Sequence, residues 1–134
     1  IIGWAFGKTM DAELAKKALK NASLNVKKTK GIILQTDLGS QYTSNIFEEY
    51  LAELKIRHSY SRKGCPYDNS CIESFHSILK KEEVNLKKYK DFKDAYNAIF
   101  EFIEAWYNRE RIHSCLNYRT PDKVYSNLEK SLVA

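Results

Sequence analysis

The sequence predicts an α/β domain, and three observations carry that expectation. Short apolar runs at residues 1–6 and 32–34 alternate with longer stretches whose apolar residues recur at helical spacing. A length of 134 residues suits one domain and allows a core without covalent staples. The composition, 43% apolar and 29% charged, is that of an ordinary globular protein rather than a disordered or membrane-embedded chain.

Taken in order, residues 1–6 read as a strand, apolar with aromatic residues and bounded by Gly7. Thr9 or Asp11 can cap a helix running to about residue 21, with Leu14, Ala15, Ala18 and Leu19 on its apolar side. Residues 23–30 form a polar, basic connection. Gly31 opens a strand through Ile32, Ile33 and Leu34, an uninterrupted apolar run of the kind buried on both faces. Residues 37–40 have turn chemistry. Ser44 can cap the next helix, with Glu48 and Glu49 near its positive end. Phe47, Tyr50, Leu51 and Leu54 there fall at i, i+3, i+4 and i+7.

Residues 55–59 read as a short strand. Gly64 and Pro66 make 61–67 a loop. A helix is expected from about 69 to 82, and another from about 91 to 107. The apolar set of the latter is Phe92, Ala95, Tyr96, Ile99, Phe102, Ile103 and Trp106, with Lys93, Asp94, Asn97, Glu101 and Glu104 opposite. The tail is polar and loop-like from 108 until Thr120 and Pro121, which cap and open a short last helix.

The net charge of +5 is uneven, with lysines crowded at 8–30 and a second basic cluster at Arg62-Lys63, Lys80-Lys81 and Lys87-Lys88-Lys90. Basic surface favours an anionic partner, nucleic acid first. No apolar run approaches a membrane span and no signal peptide is visible. The start, Ile-Ile-Gly without Met, reads as the tail of something longer. Cys65, Cys71 and Cys115 are an odd number without paired C-x-x-C spacing. A zinc site drawing on Cys65, Cys71, His76 or His113 is the weaker reading, and reduced thiols the stronger.

Two carboxylates stand where chemistry could occur. Asp37 follows the 32–34 strand, and Glu73 lies in the first turns of the 69–82 helix. If that helix crosses the strand ends, both face one point, and converging hard oxygens suit Mg²⁺. Plainer readings exist for each. Asp37 can be the first residue of a turn, and Glu73 the last member of a capping box Ser70-x-x-Glu73.

Several motifs occur in order around these residues: Gln35-Thr36-Asp37-Leu38-Gly39-Ser40-Gln41-Tyr42-Thr43-Ser44, then Ser59-x-Ser61-Arg62-x-Gly64, then Asp68-Asn69-x-x-x-Glu73-Ser74-Phe75. Thirty-five residues separate Asp37 from Glu73. A final segment reads Trp106-Tyr107-Asn108-x-x-Arg111-x-His113-x-x-Leu116-x-x-x-Thr120-Pro121. Together these resemble the catalytic core of retroviral-type integrases, and most closely the insertion-sequence transposases of the IS3 family. Gln35, Leu38 and Ser70 depart from that family's usual residues without removing a carboxylate. The large departure is the first of the family's three acids, expected on a strand before Ile1.

The resemblance implies an RNase H-like fold, a mixed sheet flanked by helices, with its first two strands missing. Residues 1–6 would be the third strand, 1–107 a partial catalytic core, and 108–134 a C-terminal tail of the same domain. It implies DNA strand cleavage and strand transfer dependent on Mg²⁺, with Mn²⁺ as a substitute, and Asp37 and Glu73 as catalytic metal ligands. Arg62, Lys63, Lys80 and Lys81 would hold DNA phosphates. Lys80, seven residues after Glu73, would lie on its helix face, although a solvated lysine is the plainer reading of that residue alone. His113 is expected to be a structural hydrogen-bonding residue. Implied partners are the ends of an insertion element, target DNA and further copies of the chain, with no membrane, in a bacterial cytoplasm. Recognition of the element's terminal repeats is expected in domains outside this chain. With one acid absent, the chain alone is expected to be inactive in strand transfer. The rival reading is a non-catalytic remnant that binds DNA or pairs with an intact transposase. A plain RNase H-like nuclease is disfavoured by the tail after Trp106.

Overall fold

The computed structural model describes residues 1–62 and 64–131, with side chains for all of these except Pro66 and 129–131. The chain divides into two compact units, Ile2–Ser74 and Ile1 with Phe75–Ala134.

The first unit holds helix α1 (Ala12–Leu24), strand β1 (Ile33–Thr36), helix α2 (Asn45–Glu53), strand β2 (Arg57–Tyr60) and the start of helix α3 (Ser70–Glu82). Asp11 caps α1: its carboxylate accepts from the Leu14 amide at 2.8 Å and from the Thr9 hydroxyl at 2.6 Å. Those two bonds, Thr9 first, hold the Asp11 carboxyl below its ordinary range. Ser44 caps α2 by accepting from the Phe47 amide at 3.3 Å. Gly31 enters β1 at φ +95°, a conformation that glycine adopts without a Cβ penalty.

β1 and β2 pair in parallel, Ile33 opposite Arg57 through to Thr36 opposite Tyr60. Parallel neighbours need a crossover, and the segment containing α2 supplies it. Leu19, Phe47 and Leu51 form the core, packed against Ala15, Leu34, Tyr42, Tyr50, Leu54 and Ile56. The helical spacing of residues 47–54 is therefore the core-facing stripe of α2.

Two expectations are corrected in this unit. Residues 1–6 form no strand, because among the described residues none offers them a ladder. Asparagine amides hold that backbone instead: Asn21 Nδ2 donates to the Trp4 carbonyl and Asn25 Nδ2 to the Ile2 carbonyl, each at 2.8 Å. The 32–34 run is not buried on both faces. Leu34 and Thr36 turn toward the core side, whereas Ile33, one residue out of phase, is 54% exposed. Period-two alternation decides which side chains meet the α1–α2 core.

The second unit holds the rest of α3, helix α4 (Phe92–Glu101) and helix α5 (Pro121–Ser131). Asp91 caps α4 by accepting from the Asp94 amide at 2.8 Å. The expected single helix from 91 to 107 is corrected. After Glu101 it widens into a π-helical stretch, Phe102–Tyr107, and the Asn108 amide donates to the Ile103 carbonyl. Five residues from Ile103 to Asn108 would leave the inner face of a regular helix. The wider turn keeps both inside, Ile103 at 2% and Asn108 at 3% exposure. Asn108 then binds Ile1, donating from Nδ2 to its carbonyl at 2.8 Å. Buried Glu83 is satisfied by Lys87 at 3.0 Å and by the Tyr89 hydroxyl at 3.3 Å. Thr120 precedes α5 and Pro121 is its first residue, as the sequence indicates.

Candidate active site

Asp37 is the residue after β1, and its carboxylate is exposed. Its Oδ1 accepts from the Gly39 amide at 2.8 Å, so the turn role read from the sequence is real. A Cβ on Gly39 would stand 2.8 Å from that oxygen and 2.6 Å from Gln41 Nε2. Glycine at 39 therefore keeps the space beside the carboxylate open.

Glu73 lies in the first turn of α3 and is exposed. The start of α3 is tied to the strand ends by three contacts, and a fourth joins the strand ends to each other. Gln35 Nε2 donates to the Asp68 carbonyl at 3.2 Å. The Ser61 hydroxyl lies 3.0 Å from the Thr36 carbonyl oxygen and 2.6 Å from the Asn69 amide oxygen. The Arg62 amide donates to Asp68 Oδ2 at 3.0 Å. Gln35 and Thr36 end β1, Ser61 follows β2, and Asp68 and Asn69 close the 3₁₀ turn that leads into α3. Thus the segments bearing Asp37 and Glu73 are held at the same end of the sheet, within one compact unit. Among the described residues, neither carboxylate takes part in an ion pair.

The Arg62 guanidinium meets the Asp68 carboxylate at 3.2 and 3.4 Å. The pair holds Asp68 below the usual carboxylate range and raises Arg62. Arg62 remains 78% exposed, so its outer edge is open to a further anion. Lys80 and Lys81 are exposed in the last turn of α3, with no ion pair among the described residues. Lys63 lies outside the described residues.

The donor set suits a hard divalent cation: exposed carboxylate oxygens with room for water, the manner in which Mg²⁺ is usually held. Among the described residues no three His, Cys, Asp or Glu side chains gather closely enough to form a metal site of their own. Cys65, Cys71 and Cys115 are free thiols.

His113 sits in the second unit, packed edge-on to Tyr107 at 5.0 Å, with Nδ1 accepting from Arg111 at 3.3 Å. Burial, and then the Arg111 charge, push its pKa down against the opposing pull of Glu82. The expectation of a structural role agrees with this packing.

A polar group near Asp37 leaves little trace in the sequence. Glu48, His58 and Tyr60 meet around one carboxylate oxygen, with His58 Nδ1 at 2.7 Å from Glu48 Oε1 and the Tyr60 hydroxyl donating to the same atom. Its signal in the sequence is weak: His58 and Tyr60 share a strand face at spacing two, and Glu48 has the local look of a helix-start charge.

The architecture is that of the RNase H-like class. The catalytic core domain of BIV integrase superposes with a TM-score of 0.63 at 16% identity, over 92% of this chain and 76% of that one. A chain of the simian T-cell lymphotropic virus intasome superposes at 0.60 and 20% identity, over 80% of this chain and 37% of that one. Residues 54–121 match a family model described as Integrase core domain, and residues 1–66 match a second of the same description. The chain belongs to the integrase core domain family. It is similar to the transposase for insertion sequence element IS904 of Lactococcus lactis, 38% identical over 121 residues, which are 90% of this chain and 48% of the relative. It is also similar to transposase InsF for insertion sequence IS3A of Escherichia coli, 37% identical over 123 residues, 92% of this chain and 43% of the relative. The chain thus spans less than half the length of these curated relatives. No helix among the described residues is long and apolar enough to cross a membrane.

Proposed function

We propose that this chain is part of a transposase catalytic core that cleaves DNA strands and joins them to target DNA. Asp37 and Glu73 are two of its three metal-binding acids. The observation that carries the reading is the tethering of the α3 start to the ends of β1 and β2, which holds both acid-bearing segments at one end of the sheet.

Asp37 and Glu73 would hold Mg²⁺, or Mn²⁺ in its place. When bound, such cations activate an attacking water or 3′-hydroxyl and stabilise the leaving oxygen of a phosphodiester. The chain's own part is orientation. The Gly39 amide fixes one oxygen of the exposed Asp37 carboxylate. Asp68 holds the Arg62 guanidinium, a fork suited to phosphate. Lys80 and Lys81 add charge uncompensated by any ion pair among the described residues, and Lys63 joins them in this reading. Phosphate contacts of this kind position a nucleic acid without reading its sequence.

Two carboxylates bind Mg²⁺ more weakly than three, so the chain alone does not join strands. Labelled element ends incubated with the chain and Mg²⁺ or Mn²⁺ should stay intact. Robust cleavage abolished by Asp37→Ala would show that two acids suffice. Binding to arbitrary duplex DNA should weaken steeply with salt. Replacing Lys80 and Lys81 by Gln should flatten that dependence by about 0.9 in log–log slope for each lost phosphate contact. An unchanged slope would remove both lysines from the DNA surface.

A further inference from the structure

Thr36 immediately precedes Asp37 and is 8% exposed. Its hydroxyl oxygen lies 2.9 Å from the Asp37 carbonyl oxygen and 2.8 Å from His58 Nε2. A carbonyl only accepts, so when the single hydroxyl proton goes to Asp37, Nε2 donates to the hydroxyl oxygen in turn. On the other side of the ring, Nδ1 faces Glu48 Oε1 at 2.7 Å. That carboxylate also accepts from Tyr60, and this bond, followed by His58, holds it below its ordinary range against the opposing effect of burial. An ionised carboxylate only accepts, so Nδ1 donates as well. All of these contacts are hydrogen bonds together only when both ring nitrogens carry a proton.

The ring is enclosed from three elements. Thr36 reaches it from β1, Glu48 and Phe47 from α2, and Tyr60 from β2, with ring centroids 5.7 Å from Phe47 and 4.2 Å from Tyr60. The His58 side chain is 8% exposed, so water is a poor substitute for either partner. Were Nε2 bare, the Thr36 hydroxyl would turn to donate to it, and the Asp37 carbonyl would lose its bond.

We propose that Glu48 and His58 are positioning residues for Asp37, acting through Thr36, whose hydroxyl they direct onto the Asp37 carbonyl. The Asp37 backbone is then held by Thr36 on one side and its carboxylate by the Gly39 amide on the other. The proposal rests on the reading of Asp37 as a metal-binding acid.

Nuclear magnetic resonance on the isotope-labelled chain tests it with two independent readouts. The first needs no metal. Both His58 ring nitrogens should show attached protons, and Glu48→Gln, which removes the charge facing Nδ1, should shift the Leu38 and Gly39 amide signals. Thr36→Val, which keeps the shape but removes the hydroxyl, should uncouple those amides from the ring, and Thr36→Ser should restore the coupling. The second readout is broadening of the Leu38 and Gly39 signals by added Mn²⁺. Thr36→Val and Glu48→Gln should each require about 10-fold more Mn²⁺ than the unaltered chain, the usual scale for losing an outer support of a ligand. Thr36→Ser should behave like the unaltered chain. If Mn²⁺ broadens neither amide in the unaltered chain, the metal reading of Asp37 fails, and the first readout alone judges the positioning. If Thr36→Val leaves both the amide signals and the Mn²⁺ response as they were, the positioning proposal is overturned.

Discussion

Each unit of this protein encloses one histidine beside a tyrosine ring, and the two imidazoles are used in opposite ways. His58 faces a carboxylate, which accepts, at Nδ1 and a hydroxyl, which can accept or donate, at Nε2, so in the arrangement proposed above both of its nitrogens donate. His113 faces the Arg111 guanidinium, which can only donate, so its Nδ1 must accept and its ring is neutral. Its Nε2 is buried without a hydrogen-bond partner among the described residues. The ring packing is alike, with centroids 4.2 Å from Tyr60 for His58 and 5.0 Å from Tyr107 for His113. What differs is the charge of the side chain reaching each nitrogen. Burial alone therefore does not decide a histidine's role. The donor and acceptor inventory of its neighbours does.

The comparison can be broken most severely at the floor of the His58 site. Phe47 is 2% exposed and lies under the His58 ring. Phe47→Ala should cost about 3–5 kcal/mol of folding stability, read from the urea midpoint, because the lost contacts leave a cavity. A loss below about 1 kcal/mol would mean that α2 is not the centre of that core.

A smaller change reverses the character of the other histidine. Arg111 meets Glu82 at 3.2 and 3.4 Å and stacks over Trp106 and Tyr107 at 5.6 and 5.9 Å. Arg111→Met should cost about 1–2 kcal/mol once solvent screening of the partly exposed Glu82 is allowed for. It should also raise the pH at which His113 takes up a proton, since it removes a repelling charge. An unmoved His113 titration would mean that the Arg111 charge does not act on the ring.

The gentlest probe is acid, and it should separate the two sites by pH. The folded-state pKa of His113 is lowered, so the unfolded chain binds that proton first. Its contribution is present above the ordinary imidazole range and is lost as pH falls through the folded value. The pKa of Glu48 is also lowered, but from a carboxylate value. Its contribution persists to lower pH, is present above the ordinary carboxylate range, and is lost as pH falls through the folded value. Amide exchange near Tyr107 should therefore accelerate at a higher pH than exchange near Thr36. Simultaneous acceleration would mean that one group, not two, governs the acid response of both sites.

Much of this was legible in the sequence because the causes are local. Asp11, Ser44 and Asp91 cap helices by reaching an amide three residues on. Phe47 and Leu51 follow the helical period. The Asp37 motif stands at a strand end, where its turn chemistry puts it, and the Glu73 motif at a helix start. Tertiary structure decided the rest. Residues 1–6 are strand-like in composition, yet a strand exists only where another backbone offers a ladder, and asparagine side chains hold them instead. Ile33 and Leu34 are equally apolar, and only the placement of α1 and α2 determines that Leu34 packs while Ile33 stays exposed. The continuous period from 91 to 107 conceals a π-helical turn, because local spacing cannot register the demand that Asn108 point inward toward Ile1. Above all, the roles of His58 and His113 depend on atoms ten and twenty-two residues from the first and two from the second, and side-chain hydrogen bonds across elements leave no periodic trace in the chain.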